Sequence, residues 1–390
     1  MNLTNTPVLG LAFRPFFLLG GAFSALSILV WSLHIGGRLA FEPFGGSYWW
    51  HVHEMLFGFV SAVVVGFLLT AVQTWTKVRG VHGAALLGLV LLWLAARFLL
   101  AFPQAAPSWL IPWVDGLFLP CAALLFARSI VKAKNRRNAV FIPILLLMAV
   151  ANGMMYGSRW LGASPSMREG AHAMVLLVTL VMCLIGGRVF PMFTANGTGT
   201  PRVQPIPWLE KVSLGSVGIV VVLGSGVLPV PGAVVGSFFV LAALANALRA
   251  FRWRFWVTLG TPLVWALHLS YWAICLGLLL LGCHHWGFAI RQSIATHALT
   301  VGGMGGMILA MIARVSLGHT GRPLVVGPVM TAAFGLMAVS FGARVLGPFL
   351  GLPYAALMMG VGFAWTAAYT LFVIVYFPIL TQPRIDGKPG

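Results

Sequence analysis

Two histidines and a carboxylate, His51, His53 and Glu54, stand at the head of an apolar stretch, Trp49-Trp-His-Val-His-Glu-Met-Leu-Phe-Gly-Phe59, that continues to about Val72. Ionisable groups at the edge of a hydrocarbon layer are costly to bury, so each is a functional-site candidate by default. Imidazole and carboxylate can bind a metal ion jointly, or the carboxylate can orient the imidazole that binds. Helical geometry decides which of them can cooperate. His51 and His53 are about 200° apart on a regular helix and face nearly opposite ways. His51 and Glu54 are three apart and share a face, and so are Glu169 and His172. The metal candidates are therefore His51, His53, Glu54, Glu169 and His172.

A second pattern concerns a macrocycle. In His297-Ala-Leu-Thr-Val-Gly-Gly-Met-Gly-Gly-Met307, four glycines remove side-chain bulk below a histidine, and His297, Met304 and Met311 recur at seven-residue intervals. Haem iron accepts His or Met axially. The same glycines also suit close helix packing. His268, in Trp265-Ala-Leu-His-Leu-Ser-Tyr271, falls near the middle of another apolar run. The cofactor-binding candidates are His51, His53, His172, His297 and His268. A lone intramembrane histidine is as readily a hydrogen-bonded packing residue. That reading is preferred for His34 and His82 and weighs evenly for His268. Cys283 beside His284 and His285 carries a soft thiolate next to imidazoles, a set that suits copper or zinc.

These groups must be held by membrane helices. The 390 residues are 60% hydrophobic and only 8% charged, against about 25% charged in a soluble domain. Runs of about 20 apolar residues, each long enough to cross a bilayer, recur throughout. They fall near 13–35, 49–72, 82–101, 108–131, 138–157, 169–190, 208–228, 231–250, 257–281, 291–313, 324–346 and 353–377. The sequence reads as an all-α polytopic membrane protein of about twelve spans, one transmembrane domain over 1–390. The first run is too long for a signal h-region and lacks a small-x-small cleavage site, so it is the first span. Four cysteines make no disulfide framework.

The formal net charge of +18 is a topology signal, not a nucleic-acid footprint. Of the 24 Lys and Arg, 18 fall on the side of the termini, including Lys132-Ala-Lys-Asn-Arg-Arg137, Arg384 and Lys388, and 6 on the other. That bias places both termini in the cytoplasm, with the basic run as a topology anchor at the lipid surface. The acidic residues Glu42, Glu54, Asp115 and Glu169, with most of the histidines, then lie toward the outer side.

Spans 2, 6 and 10 each carry a histidine near the outer end, at intervals of 119 residues (His53 to His172) and 125 (His172 to His297). Each also ends in a comparable inner turn: Thr70–Trp75, Arg188–Asn196 and Arg314–Arg322. This spacing points to three four-helix units with equivalent helices converging on one centre. At the inner turns, Arg188, Arg314, His319 and Arg322 serve topology, clamp an anion, or hold a quinone headgroup.

Several of these segments resemble the NnrS family. They are Phe13-Arg-Pro-Phe-Phe17, His51-Val-His-Glu-Met-Leu-Phe-Gly-Phe59, Gly66-Phe-Leu-Leu-Thr-Ala-Val72 with Trp75, Arg188–Asn196 and Leu317-Gly-His-Thr-Gly-Arg322. Gln73 stands where the family pattern leads one to expect proline. The resemblance implies a bacterial inner-membrane protein of twelve spans that contains haem, as haem b, and copper, and is linked to nitric oxide and denitrification. It implies no ligand set. A second likeness, to haem–copper oxidases and nitric oxide reductases, is one of architecture: twelve spans in three arcs with pseudo-threefold arrangement. There the ligand histidines lie on helices 2, 6, 7 and 10, whereas span 7 here has none.

The leading expectation is a haem- and copper-containing membrane protein that binds or turns over nitric oxide, or relieves its toxicity, at an outer-leaflet site. Its partners would be the lipid bilayer, nitric oxide or another small gas, and a quinol or other electron donor. A secondary transporter of copper, haem or a small anion is the alternative. It predicts midplane binding groups and helix breaks at Gly186-Gly187 and the span 10 glycines. An assembly factor for another respiratory complex is a third reading.

Overall fold

The computed structural model describes residues 6–160 and 167–387; Lys388, one of the cations on the side of the termini, lies outside them. Every long element is a helix, as it must be where no water satisfies backbone polar groups. The twelve are α1 (Phe13–Ile35), α2 (Ser47–Thr76), α3 (Gly83–Ala101), α4 (Leu110–Lys132), α5 (Phe141–Trp160), α6 (Met167–Thr198), α7 (Pro207–Leu223), α8 (Gly232–Arg252), α9 (Pro262–His285), α10 (Gln292–His319), α11 (Pro328–Leu346) and α12 (Tyr354–Thr381). Eleven are long and apolar enough to cross a membrane, and α7, at 17 residues, is the shorter twelfth.

The helix ends differ from the sequence reading for local reasons. α7 stops early because Gly224-Ser-Gly226 turns the chain, with Gly226 at φ 85°. α9 begins at Pro262 rather than near 257. Residues Phe255–Thr258 form a separate 3-10 turn, and proline suits the first helical turn, where its missing N–H costs nothing. His268 is therefore near the N-terminal end of α9, not its middle. The Arg188–Asn196 segment is helix, not turn: α6 runs on through Pro191 to Thr198. Likewise α2 continues to Thr76 and α10 to His319.

Two compact units account for the chain, one of Met1–Ala171, Val315–Pro323 and Tyr369–Gly390, the other of His172–Arg314 and Leu324–Ala368. The division does not fall at the boundaries of the three expected four-helix groups. In the first unit α1 lies against α2, where Gly66 leaves room for Phe16; a Cβ there would lie 2.7 Å from the Phe16 β-carbon. The far ends of α10 and α12 close this unit. Arg14, 1% exposed, donates to the carbonyls of Leu380 (3.0 Å) and Gln382 (2.6 Å). In the second unit α8 packs along α7 and α9. There Arg249 bonds Glu210 at 2.6 Å and the Tyr271 hydroxyl at 3.1 Å, in space that only glycine at 187 leaves open.

The most enclosed helices carry the candidate chemistry. The apolar windows of α2 and α10 are 83% buried and those of α6 and α9 are 67%, against 33% to 50% for the others measured. Both α2 and α10 also contain a π-helical stretch, Glu54–Val60 and Ala298–Gly305, and each begins at the residue after a histidine, His53 or His297. Such segments are rare and occur frequently at functional sites.

Candidate functional site

In the first unit, the α2 histidines part as the helical step requires. His51 is half-buried and lies parallel to Trp31, ring centroids 4.4 Å apart and planes 7° apart. His53 points inward and is fully buried. Its Nδ1 lies 2.9 Å from Oε1 of Glu54; its Nε2 lies 2.9 Å from Oδ1 of Asn152 and 3.1 Å from Oδ2 of Asp115. The expected His51–Glu54 pairing is not formed. The carboxylate turns instead to His53 and to Arg97 of α3.

Arg97 is the hub of this cluster. Its Nη1 donates to Glu54 Oε1 at 2.8 Å, and its Nη2 pairs with Asp115 of α4. Asn152 and Tyr156, one turn apart on α5, donate to Asp115 Oδ2 at 2.7 and 3.0 Å. Gly58 makes the approach possible, since a Cβ there would lie 2.6 Å from Arg97 Nη1 and 2.8 Å from the Phe23 ring. Buried charges persist only when paired and hydrogen-bonded. Both nitrogens of His53 face oxygen acceptors, an arrangement that an imidazolium satisfies. Two carboxylates are then balanced by Arg97 and His53, and His53 has no lone pair left for a metal.

In the second unit, His172 of α6 and α10 meet through Gln292, whose Nε2 lies 3.3 Å from His172 Nε2. Gln292 begins the same helix that carries His297. His297 Nδ1 lies 2.7 Å from the Ser293 carbonyl oxygen and 3.1 Å from Arg344 Nη2 of α11, which also donates to Ser293 Oγ at 2.8 Å. We assign the Nδ1 proton to the Ser293 carbonyl, which leaves Nε2 with the lone pair. His268, 2% exposed, contacts Thr194 Oγ1 through Nε2 at 2.8 Å, while Nδ1 has no hydrogen-bond partner. Phe190 and Trp253 present their edges to its ring.

The glycine face below His297 holds protein, not open space. A Cβ at Gly302 would strike Phe341, one at Gly305 Trp365, and one at Gly306 the Ser270 hydroxyl. Helix packing explains these glycines, and the flat-face reading for a macrocycle fails there. The seven-residue stripe is also lost, because the π segment shifts register between His297 and Met304.

Glu169 lies in the first turn of α6. On the remaining candidates the geometry is structural. Arg314 stands 3.9 Å over the Phe193 ring, and Arg188 lies within α6. His319 packs on Phe13 at 5.5 Å, and its carbonyl accepts from Arg384 at 2.8 Å; Arg322 closes the same turn through its backbone N–H to Leu317. Arg188 and Arg314 belong to one unit, His319 and Arg322 to the other. The rings of His284 and His285 stand 68° apart, one bonded to the Ile290 carbonyl and the other stacked on Phe239, so they do not converge with Cys283. Among the described residues, no group of three or more His, Cys, Asp or Glu side chains is placed to hold a metal ion.

Sequence reasoning missed Arg97, Asn152, Tyr156, Trp49 and Arg344. Arg97 and Arg344, 5% exposed each, counted as charges of the outer side. The available signal was their position inside apolar runs, where a cation needs a partner.

The profile of one protein family, described as NnrS protein, matches residues 7–384, nearly the whole chain. No protein of curated function matches the sequence.

Proposed function

We propose a function from one premise: the chain belongs to the NnrS family. It is a multi-pass membrane protein, and family membership supports a haem or metal protein related to nitric oxide. Our reading is a haem b protein of the bacterial inner membrane that binds nitric oxide in nitric oxide metabolism or nitrosative-stress defence.

The residues fit a haem better than a copper ion. Haem needs one or two axial groups. His297 offers Nε2, with Nδ1–H held by the Ser293 carbonyl and Ser293 held in turn through its hydroxyl by Arg344, the orienting shell typical of a ligating imidazole. His268 offers a buried, unpartnered Nδ1. A copper site needs several N or S donors together, and no such group is present among the described residues. No part of this reading runs through copper, through His53 or through Glu54. His172, joined to the head of α10 through Gln292, remains a candidate of the second unit, with Glu169 as an orienting carboxylate on the turn before it; His51 is a separate candidate of the first unit.

The observation that carries the proposal is His297 at the start of a π segment on one of the two most enclosed helices. When bound, haem supplies an iron that takes a diatomic ligand. The chain holds His297 in one orientation, excludes water with apolar helices, and leaves lipid as the route for a neutral apolar gas. The transport alternative finds less support: α6 passes unbroken through Gly186-Gly187, and the α10 glycines are filled by neighbouring side chains.

The test is the absorption spectrum of the detergent-purified protein, reduced with dithionite, before and after nitric oxide. Soret and α bands that shift with nitric oxide support the reading. A colourless protein from haem-replete cells overturns it.

A further inference from the structure

We infer that the first unit contains a binding site for the headgroup of a membrane-borne quinol. The site is a cavity of about 570 Å³ lined by Phe44, Ser47, Tyr48, Trp49, Met155, Tyr156 and Met167 with the backbone of Gly45 and Gly46. This volume lies in the range of small-molecule sites, which are mostly apolar and aromatic with a few placed polar groups. A diatomic gas needs no such space. The lining matches a planar, neutral, amphipathic ring: four aromatic residues and two thioethers, with hydroxyl-bearing residues at Ser47, Tyr48 and Tyr156.

Tyr156 fixes the ligand's polarity. Its hydroxyl is committed as a donor to Asp115 at 3.0 Å, with His53 Nε2 3.3 Å away. With its proton committed to Asp115, the hydroxyl oxygen can meet a ligand of the cavity only as a hydrogen-bond acceptor. A quinol hydroxyl can donate there and a quinone carbonyl cannot. Behind that wall the charges of His53, Glu54, Arg97 and Asp115 balance, and nothing attracts a charged ligand. Trp49 shapes the other wall. It stacks on His53 and donates its indole N–H to the Met155 carbonyl at 3.0 Å. A Cβ at Gly45 would come within 2.6 Å of this indole, and φ is +76° there, so glycine at 45 is part of the cavity's shape.

The inference names an electron-donor class for the haem protein proposed above and takes its physiological meaning from that reading; binding itself does not depend on it. The experiment titrates the full-length detergent-purified chain with decylubiquinol, and separately with decylubiquinone, by calorimetry, with haem content measured on the same sample. Saturable binding with preference for the quinol is expected. Tyr156→Phe should weaken quinol binding by about tenfold, the value of one hydrogen bond. Met167→Trp should narrow the cavity and weaken binding while leaving Tyr156 and its cluster in place. Absence of saturable binding to the wild-type protein, equal affinity for quinol and quinone, or wild-type affinity in both variants would overturn the inference. Quinol binding by a protein without haem would overturn the proposed function instead.

Discussion

The imidazole of His53 lies parallel to the indole of Trp49, ring centroids 4.5 Å apart and planes 11° apart, one turn along α2. The stack covers the His53 ring of a charge cluster assembled from α2, α3, α4 and α5. Both ring nitrogens of His53 are committed within that ionic cluster, and our proposal gives ligand duty to histidines with an uncommitted nitrogen.

Arg97 should be indispensable to the first unit. Arg97→Leu leaves Glu54 and Asp115 buried without their cation and should cost about 3–5 kcal/mol. Arg97→Lys should lie between, since one ammonium cannot reproduce the two-sided fork. Denaturation of the purified variants by titration with SDS measures both. Wild-type stability in Arg97→Leu would show that the cluster contributes little.

Gly58 and Gly88 offer a matched pair inside membrane helices. A Cβ at Gly58 would meet Arg97, Phe23 and Glu54, whereas one at Gly88 would meet nothing within 4 Å. Gly58→Ala should destabilise the protein by more than about 1 kcal/mol, and Gly88→Ala should be neutral or stabilising by up to about 1 kcal/mol. Equal effects, read by the same denaturation, would contradict the crowding seen at Gly58.

The chain end holds the turn after α10. Arg384 donates to the His319 carbonyl at 2.8 Å and pairs with Asp386 at 2.6 Å. The Asp386 hydrogen bond raises the pKa of Arg384, so the guanidinium stays charged at any working pH. Arg384→Ala should cost about 1–2 kcal/mol. It should also speed proteolysis at 317–322, as followed by limited digestion and mass spectrometry.

Much of the architecture was legible. Twelve apolar runs became twelve helices, because length alone decides whether a helix spans a bilayer. The opposed faces of His51 and His53 followed from the helical step. The ionic cluster was not legible, because Asn152 and Tyr156 reach His53 across about a hundred residues of apolar sequence and no spacing encodes that meeting. The π segments were also invisible: Glu54–Val60 and Ala298–Gly305 read as ordinary helix. The second of them broke the stripe from His297 to Met304. The glycines of α10 were legible only as small residues; Phe341 and Trp365, which fill the space above them, lie tens of residues away.

Arg344 should act on haem through His297. Arg344→Leu frees the Ser293 hydroxyl and with it the residue whose carbonyl orients His297, so haem affinity should fall by about 10- to 100-fold with the ligand itself intact. Haem titration of the apoprotein, followed at the Soret band, measures this. Unchanged affinity would mean that the α11 contact does not orient the imidazole.

The most direct measurement compares two histidine variants. The haem content of purified His297→Ala and His53→Ala should be determined as the pyridine haemochrome, each relative to wild type. The account predicts loss of haem from His297→Ala and retention by whatever His53→Ala protein remains folded. Full retention by His297→Ala, or loss from a folded His53→Ala protein, would contradict it.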